Sequence, residues 1–512
     1  MFSFLKKKKI EADVTILYGT HTGNSKFIAK KTAEVLRKKG IVNLCKDVKQ
    51  YDISSLEKEK NLLLIISTHG EGEPPQAAEK FYRQLMAFDQ PLPHLSYSVC
   101  ALGDKTYEHF CLPGRSIHQK LQAAGARPLA PPAECDVEYE KPVRQWIRSL
   151  VEEFQQNKNS SSDVGFISEG KKQFTARVLN RCRVNDERSD KEVFQLTIGV
   201  DDAEFQYQPG DSLAITPQND QEVVERIIAL LGSYHPQEDF SPLREALTER
   251  FELSRLSSTT LRRYNDTARS EALQALIAER SSTRISGGKE GMIQLLEEFP
   301  AKFTTESFLQ LLTPMQPRYY SVASSQKVSA NKADLLIRTL EKGVATPYLN
   351  HRLEIGQVIT VRVVPNPDFH LPGNQETPVI MIANGVGLAP FRAFMQELEG
   401  RDHHAPVWLM LGERNKDFDF LYRAEWEVWQ RNGSLNHLHT AFSRGEKPAY
   451  VQALLEENKA ELINWISQGA AVYVCGSVPM GEEVRKRCDR ILEGKITVEL
   501  LKQQGRYAEE LF

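Results

Sequence analysis

The chain has 512 residues, of which 41% are apolar and 26% are charged, and its formal net charge is −3. This length predicts two to four domains, because a single hydrophobic core does not grow to such a size. The near-neutral charge argues against nucleic acid as the main partner. No apolar run approaches the ~20 residues needed to cross a membrane. The lysines Lys6 to Lys9 are interpreted as a solvated tail, with a weak electrostatic contact to a membrane as the alternative.

The cysteine pattern argues against a disulfide framework and against a metal centre. Seven cysteines occur in the chain, without a C-x-x-C pair or any other paired spacing. Such usage is typical of a reducing compartment, so the sequence predicts a cytoplasmic protein without a zinc or iron–sulfur site.

The first 150 residues alternate between strand and helix patterns. Short apolar runs at 13–18, 61–67 and 98–102 each precede a loop, and a helical pattern from about Ser25 to Lys39 follows the first loop. Strands alternating with helices predict a parallel, doubly wound sheet, in which ligands bind where the strands end.

The pattern then changes three times. Residues 156–170 are polar, Ser-rich and aperiodic, which predicts a flexible linker with a reach of roughly 20 Å. Strand patterns follow at 172–216, 318–323, 334–340 and 357–364. Between the first and the second of these, apolar residues recur at helical spacing over 220–312. A helical insertion therefore divides a β-domain. From Pro378 strands and helices alternate again, which predicts a third, α/β domain.

The loop from Thr20 to Ser25 has the composition of a phosphate cradle. It lies where a strand gives way to a helix, whose first N–H groups carry partial positive charge, and its threonines and serine add hydroxyl donors. A well-capped helix without a ligand is the alternative. Two further loops, 67–75 and 102–111, follow strands of the same sheet and offer glycine-rich backbone and aromatic rings, which favour a planar isoalloxazine as the ligand.

These loops, together with Arg318-Tyr-Tyr-Ser321 and Gly343-Val-Ala-Thr-Pro-Tyr-Leu349, resemble the motifs of the diflavin reductase family, which includes NADPH–cytochrome P450 reductase. The segments LGDKTYEHFC, NPDFHLPGNQETPVIMIA and LYRAEW resemble the sulfite reductase flavoprotein branch most. The resemblance implies an α/β multidomain fold. Its parts are a flavodoxin-like FMN domain at 11–155 and a flexible linker at 156–170. A ferredoxin–NADP reductase-like β-barrel FAD domain follows at 171–371, with a helical insertion at about 218–314, and an NADP(H) domain occupies 372–512.

The resemblance also implies the residues of the two flavin sites. Tyr107 is expected to stack on the FMN ring, whereas His69 is either a second ring or an ordinary loop histidine. The FMN residues are Thr20, His21, Thr22, Gly23, Asn24, Ser25, Ser67, Thr68, His69, Gly70, Leu102, Gly103, Asp104, Tyr107, Phe110 and Cys111. The FAD residues are Arg318, Tyr319, Tyr320, Ser321, Gly343, Val344, Ala345 and Thr346. A permanently charged guanidinium such as that of Arg318 suits a pyrophosphate.

Catalytic roles are implied for Ser321 and Glu510, with Phe512 as a cover over the FAD ring; an incidental C-terminal phenylalanine is the alternative. The NADPH residues are Gly385, Gly387, Ser443, Arg444, Lys447, Tyr450, Gln452 and Glu483. Three departures from the family pattern stand near them. Val386 replaces a threonine, Pro448 replaces a lysine, and Glu413 stands where some members have a cysteine.

By this resemblance, NADPH gives a hydride to FAD, and electrons then pass singly to FMN and on to an acceptor such as a haem or siroheme protein. A P450-like or other metalloprotein acceptor is one alternative. A non-catalytic assembly subunit, suggested by Val386 and Pro448, is an alternative of another class. The sequence leaves open whether the chain forms a homo-oligomer or a complex with a hemoprotein subunit.

Overall fold

The computed structural model describes residues 12–20, 23–68, 72–75, 78–103, 109–136, 139–155, 172–254, 256, 258–279, 291–341, 343–399, 405–444, 447–494 and 496–512. They form two compact units: the first contains 12–155 and 258–279, and the second contains the rest of the described residues. Several sequence predictions lie outside the described residues, namely those for His21, Thr22, His69, Gly70, Asp104, Tyr107, the linker 156–170 and Lys6 to Lys9.

The first unit is built on a parallel sheet. Within the described residues its strands are β1 (Val14–Gly19), β2 (Asn43–Asp47), β3 (Asn61–Ser67), β4 (Ser96–Leu102), β5 (Arg127–Pro128) and β6 (Ala133–Cys135). The order is β2-β1-β3-β4-β5, and β6 also pairs with β4. The interior of β3 is a continuous run of five buried apolar residues. Such a run is expected for a strand that helices cover on both faces.

Helices lie between these strands, as the alternation predicts. They are α1 (Asn24–Lys38), α2 (Glu79–Met86), α3 (Leu112–Ala123) and α4 (Glu140–Gln155), with 3-10 turns at Val48–Gln50 and Ile53–Lys58. One apolar cluster packs α1 and α4 against the sheet, and a second packs α2 and α3 against it. The sheet is therefore doubly wound.

An antiparallel sheet opens the second unit. Its strands are β7 (Phe174–Arg183), β8 (Val193–Val200), β9 (Ser212–Ile215), β10 (Arg318–Ser321), β11 (Lys332–Arg338) and β12 (Val358–Val364), in the order β10-β9-β12-β7-β8-β11. Burial alternates along β7, which turns its apolar residues to one face. An isolated bridge between Val322 and Leu335 joins the two outer strands, as closure of a barrel requires.

The helical insertion lies between β9 and β10, as predicted. Its helices are α5 (Gln221–Tyr234), α6 (Leu243–Glu249), α7 (Ser258–Ala268), α8 (Glu271–Glu279), α9 (Met292–Glu298) and α10 (Thr305–Leu309). Of these, α7 and α8 belong to the first unit and the others to the second.

A second parallel sheet completes the second unit. Its strands are β13 (Val379–Asn384), β14 (Val407–Glu413), β15 (His437–Phe442), β16 (Ala471–Gly476) and β17 (Tyr507–Leu511), in the order β15-β14-β13-β16-β17. The remaining helices are α11 (Ala345–Pro347), α12 (Ala389–Glu399), α13 (Arg423–Arg431), α14 (Val451–Glu457), α15 (Lys459–Ser467), α16 (Val478–Ile491) and α17 (Val498–Gln503). Short 3-10 turns occupy Pro367–Phe369 and Gly385–Leu388, and a π-turn occupies Tyr348–Arg352. None of the described helices is long and apolar enough to cross a membrane.

The antiparallel sheet and the C-terminal parallel sheet are joined by the buried guanidinium of Arg392. This side chain, which starts from α12, donates to the carbonyl of Ala323 at 2.8 Å and to the carboxylate of Asp334 at 2.9 Å. It also donates twice to Glu425, at 2.8 and 3.0 Å, and its guanidinium lies 4.5 Å from the ring centroid of Tyr422. One side chain of α12 thus bonds to a carboxylate of β11 in the antiparallel sheet and to a carboxylate of α13.

Replacing Arg392 by alanine is expected to lower the free energy of unfolding of the second unit by about 3 kcal/mol, because the carboxylates of Asp334 and Glu425 lose their buried cation. Tryptophan fluorescence during guanidinium unfolding measures the change. Four of the five tryptophans lie in the two apolar clusters around the C-terminal sheet, namely Trp408, Trp426, Trp429 and Trp465.

Arg423→Ala is the matched control, since it removes an arginine from an exposed pair with Glu427 on α13. Exposed pairs contribute little, so the unfolding midpoint of this variant should match that of the unmodified chain. A midpoint for Arg392→Ala equal to that of the control would contradict the structural role assigned to Arg392.

Candidate flavin and nucleotide sites

The three loops of the predicted FMN site start at one edge of the first sheet. The strands β1, β3 and β4 are parallel neighbours, with Gly19 paired to Ile66 and Ser67 paired to Leu102. The loops that leave them therefore start side by side at the carboxyl ends of the strands. In doubly wound sheets this edge is the ligand-binding edge.

Two hydroxyl groups at this edge are buried without a hydrogen-bond partner among the described residues. They are Ser25 Oγ, in the first turn of α1, and Thr68 Oγ1, just after β3. The turn between β1 and α1 is made by Gly23, which has a φ of 91° and whose N–H donates to Thr20 Oγ1 at 2.9 Å. Among the described residues, no side chain caps α1. Buried hydroxyls at an uncapped helix end fit an anionic phosphate, which would give them acceptors.

Close packing shapes the third loop. A β-carbon at Gly103 would lie 2.9 Å from the backbone nitrogen of Cys111 and 2.9 Å from the Phe110 ring, so this position excludes a side chain. Cys111 is fully buried, and burial raises the pKa of its thiol to about 12. The thiol is therefore protonated and inert, and its part in the loop is packing. No disulfide joins any of the seven cysteines, all of which lie in the described part of the chain.

The second candidate site lies in the second unit, where the antiparallel sheet meets the C-terminal strand. β10 pairs with β9 so that Ser321 lies opposite Ser212. Both hydroxyls donate to Glu510 Oε1 of β17, Ser321 at 3.0 Å and Ser212 at 3.3 Å. The two residues that the sequence analysis names as catalytic, Ser321 and Glu510, are thus in direct contact across 189 positions of sequence.

Burial raises the pKa of the Glu510 carboxyl to about 7, although the bonds from Ser321 and Ser212 oppose the shift. Its second oxygen, Oε2, is buried without a hydrogen-bond partner among the described residues. The position of Glu510 comes from β17, which adds to the parallel sheet beside β16 with Cys475 opposite Glu510. A carboxyl that keeps its proton up to about neutral pH and has an unused oxygen fits a ligand with polar atoms, such as a flavin ring.

The other predicted FAD residues differ in their surroundings. Tyr320 packs against the apolar core of the antiparallel sheet, whereas Tyr319 is 54% exposed, and burial raises the Tyr320 pKa to about 12. Arg318 donates to the carboxylate of Glu252 at 3.1 Å and to the carbonyl of Gln316 at 2.6 Å. Phe512 is 61% exposed and donates its N–H to Gly476.

The segment from Gly343 to Thr346 begins helical backbone, but in an irregular form. The three residues of α11 pass into a π-turn at Tyr348, and the Thr346 hydroxyl already accepts a bond of 2.8 Å from the N–H of Leu340. The predicted pyrophosphate segment is therefore a single helical turn, and its threonine is hydrogen-bonded within the protein.

A pair that sequence reasoning missed, Asp211 and His370, fixes the turn before β9. The carboxylate of Asp211 accepts from the backbone N–H groups of Gln208 and Asn366, both at 2.8 Å, and lies 2.6 Å from His370 Nε2. Gly210 permits this approach, since a β-carbon there would lie 2.2 Å from the carbonyl oxygen of Phe369. The Pro-Gly-Asp sequence indicates a turn at Asp211, but the spacing of residues along the chain does not predict its contact with the distant His370.

The predicted nicotinamide loop is held by backbone contacts. A β-carbon at Gly387 would lie 2.3 Å from the carbonyl oxygen of Cys475, and Gly385 has a φ of 57°. Asn384 Oδ1 accepts from the N–H of Ser477 at 2.9 Å, which ties the ends of β13 and β16 together. Val386 is partly buried and packs against the apolar core, so its side chain has a structural role.

Two arginines converge at the carboxyl edge of this sheet. The predicted Arg444 and a residue that the sequence analysis missed, Arg414, both bond to the carboxylate of Asp190, at 2.5 and 2.8 Å. The N–H of Ser443 donates to the carbonyl of Glu413, so β15 places Ser443 beside the end of β14. Exposed guanidinium groups at the end of a parallel strand fit a phosphate.

Four further predicted nucleotide residues are not brought to these arginines by any contact among the described residues. Lys447 is exposed, Tyr450 is 64% exposed and Gln452 is partly buried. Glu483 pairs with Lys486 within α16.

Glu413 is a buried structural charge. Burial raises the pKa of its carboxyl, and the nearby ammonium of Lys191 opposes the shift at an Nζ–Oε2 distance of 2.5 Å. Lys191 Nζ also lies 3.7 Å from Asp419, and all three side chains are at most 5% exposed. Glu413 thus anchors the loop between β7 and β8 to the C-terminal sheet.

Three protein-family models match the chain in the order of the predicted FMN, FAD and NADP(H) domains. The Flavodoxin family model matches residues 16–146, the FAD binding domain model matches 168–276, and the Oxidoreductase NAD-binding domain model matches 381–486.

Several curated proteins are similar over almost the whole chain, and each is a sulfite reductase (NADPH) flavoprotein alpha-component. The protein from Bacillus subtilis (strain 168) is 32% identical over 98% of this chain and 90% of its own length. The protein from Shewanella sp. (strain MR-4) is 34% identical over 98% and 87%, and that from Aliivibrio fischeri (strain ATCC 700601 / ES114) is 32% identical over 94% and 84%. The chain therefore belongs to the family of sulfite reductase (NADPH) flavoprotein alpha-components.

Proposed function

We propose that the chain carries electrons from NADPH through FAD and FMN to a hemoprotein, as the flavoprotein component of a sulfite reductase. The observation that carries the proposal is the succession, on one chain, of flavodoxin, FAD-binding and NAD-binding domains in a family of that name. FAD accepts electrons in pairs and releases them singly, FMN carries them one at a time, and the residues around both flavins hold them in place.

The FMN phosphate is held, in this proposal, by hydroxyls and backbone groups without a cationic side chain in the cradle. Ser25 Oγ and Thr68 Oγ1 have unused bonding capacity there, and Gly23 opens the turn. Leu102, Gly103, Phe110 and Cys111 supply a tightly packed wall beside the ring. Thr20 and Ser67 complete the described part of the cradle, and Asn24 begins α1.

The proton of Glu510 is the catalytic element that the chain itself supplies beside the FAD. At neutral pH the carboxyl is about half protonated and accepts at Oε1 from Ser321. The bond fixes the direction of the serine hydroxyl, and the neutral carboxyl keeps negative charge away from a site that receives a hydride. Phe512, exposed at the end of β17, is proposed to cover the ring and to move aside for the nicotinamide.

The preference for NADPH over NADH is assigned to Ser443 and Arg444, because a 2′-phosphate needs a cation and a hydroxyl donor. Val386 does not argue against nicotinamide binding, since its side chain packs against the core and the open space beside Gly385 leaves that part of the backbone accessible.

A haem or siroheme protein is the proposed acceptor, because the relatives are components of sulfite reductases. We propose the reducing cytoplasm as the compartment, in keeping with seven cysteines that form no disulfide among the described residues. A P450-like or other metalloprotein acceptor is a second candidate of the same mechanism.

The flavin content of the purified protein tests the proposal. Acid-released flavin is expected to contain one FMN per FAD, and NADPH should reduce ferricyanide and cytochrome c with turnover. FAD alone would exclude the relay between two flavins. Both flavins without turnover would instead favour a non-catalytic assembly subunit.

Ser25→Ala is expected to weaken FMN binding about tenfold, because a hydrogen bond to a charged phosphate oxygen is lost. The FMN retained after dilution and gel filtration measures the effect. The matched control is Thr32→Ala on the same helix, since the hydroxyl of Thr32 is already bonded to the carbonyl of Ile28 at 2.8 Å. Equal FMN retention in the two variants would contradict the phosphate contact.

Glu510→Gln is expected to change how stability depends on pH. In the folded chain the Glu510 carboxyl keeps its proton up to a pKa of about 7, whereas an exposed glutamate loses it near 4.5. The unmodified chain therefore loses stability as pH rises from about 4.5 through 7, whereas the Gln variant lacks this loss. The melting temperature of the variant should rise relative to the unmodified chain by several degrees between pH 5 and 8.

Glu509→Gln provides the comparison, because Glu509 is the neighbouring residue on β17 and pairs with Arg485 and Lys502 instead. The pH dependence of this control should not reproduce that of Glu510→Gln. A constant difference in melting temperature between Glu510→Gln and the unmodified chain over the whole range would rule out a titration of Glu510 near neutrality.

A further inference from the structure

A carboxylate lies between Arg444, which is assigned to the 2′-phosphate, and the neighbouring Arg414. Asp190 Oδ1 accepts from Arg414 at 2.8 Å, and Asp190 Oδ2 accepts from Arg444 at 2.5 Å. Asp190 lies in the loop between β7 and β8, so this anion comes from the antiparallel sheet, whereas the arginines come from the parallel sheet. Each guanidinium thus uses one donor group on a side chain of the same unit.

The arginines are aligned by the ends of two adjacent strands. β14 and β15 are parallel, and their pairing continues beyond the strands through a 2.7 Å bond from the N–H of Arg444 to the carbonyl of Arg414. Both guanidinium groups therefore project near the carboxyl edge of the sheet, where nucleotides bind in folds of this kind.

The backbone of the Asp190 loop is fixed, but its carboxylate is not buried. The next residue, Lys191, is 5% exposed and is clamped by Glu413, and Ser189 donates to Asp419 at 2.6 Å. The Asp190 side chain itself is 51% exposed. It can therefore rotate into water while its Cα stays close to the arginines.

We propose that Asp190 is an internal competitor for the 2′-phosphate of NADPH, and hence a residue that sets nucleotide affinity and specificity. The inference rests on the proposed NADPH site. Two guanidinium groups and one carboxylate leave a net positive charge, which still attracts a phosphate of about two negative charges. When the 2′-phosphate binds, the two guanidinium groups exchange the carboxylate of Asp190, which has one negative charge, for the phosphate, which is the stronger hydrogen-bond acceptor. Asp190 therefore weakens the binding of nucleotides that carry a 2′-phosphate and does not weaken the binding of those that lack it.

Calorimetric titration of the full-length holoenzyme with 2′,5′-ADP tests the competition, because this ligand carries the 2′-phosphate without the nicotinamide. Asp190→Asn is expected to bind 2′,5′-ADP about two- to tenfold more tightly than the unmodified chain, since ion pairs at exposed positions are individually weak. Titration with 5′-AMP, which lacks the 2′-phosphate, should give the same affinity for both proteins.

Asp186→Asn is the matched control. It removes the same charge from the same loop, but the carboxylate of Asp186 pairs with Arg188 and has no bond to Arg414 or Arg444 among the described residues. This variant should bind 2′,5′-ADP as the unmodified chain does. If Asp186→Asn gains as much affinity for 2′,5′-ADP as Asp190→Asn does, the gain comes from the charge of the loop in general and not from competition, and the inference is overturned.

The same titrations separate failure of the inference from failure of the proposed function. If the unmodified chain binds 2′,5′-ADP and Asp190→Asn binds it equally or more weakly, then Asp190 positions the arginines and does not compete, and the inference is wrong although the NADPH site stands. If neither the unmodified chain nor Asp190→Asn binds 2′,5′-ADP more tightly than 5′-AMP, the proposed NADPH site is wrong, and the competition proposed on it is wrong as well.

Discussion

The buried guanidinium of Arg392 is the interaction on which the geometry of the second unit depends. Burial of an arginine is costly unless its donors are satisfied. Among the described residues Arg392 makes four hydrogen bonds, two of them to Glu425 of α13 and one each to the carbonyl of Ala323 and the carboxylate of Asp334. Because Arg392 bonds to several groups at once, only one relative position of the two sheets satisfies all of them. A shift of one sheet against the other would separate Arg392 from Asp334 and leave this largely buried carboxylate without its cation.

A second buried ion cluster holds the same two sheets at another point. Lys191 reaches from the antiparallel sheet to Glu413 and Asp419, and their three side chains are almost completely excluded from solvent. With two such fixed points the carboxyl edge of the parallel sheet has a defined position relative to β9 and β10. The contact of Ser321 with Glu510 is the consequence that matters for chemistry, since neither residue reaches the other through local structure.

The sequence predicts the architecture well because its signals are local. Continuous apolar runs mark β3 and β13, and the spacing of apolar residues marks the insertion between β9 and β10, so the strand and helix patterns agree with the structure. The same reasoning gave no strand at the C-terminus, because Tyr507–Leu511 is short and half polar, and it forms β17 only by pairing with β16.

The residues of the candidate sites also fall into those that the sequence predicts and those that it does not. Motif residues such as Ser321, Glu510 and Arg444 were named from spacing and resemblance. Asp190 and Arg414 beside Arg444 were not, and neither was the pair of Asp211 with His370. Each depends on a contact between segments distant in sequence. A motif identifies the residue that touches a ligand, but the residue that sets its charge or orientation comes from elsewhere in the fold.

Val386 illustrates how a departure from a family pattern depends on its surroundings. A polar side chain exchanged for valine would weaken a ligand site if that side chain pointed to the ligand. Here the valine packs against the apolar core, and the close approach of the loop to β16 is made by Gly387, where no side chain fits. In the proposed nicotinamide site, access to this loop depends on the open space beside Gly385. The valine at position 386 is therefore weak evidence that the chain has lost nucleotide binding. A side chain at Gly387, by contrast, would collide with the backbone of β16 and displace the loop.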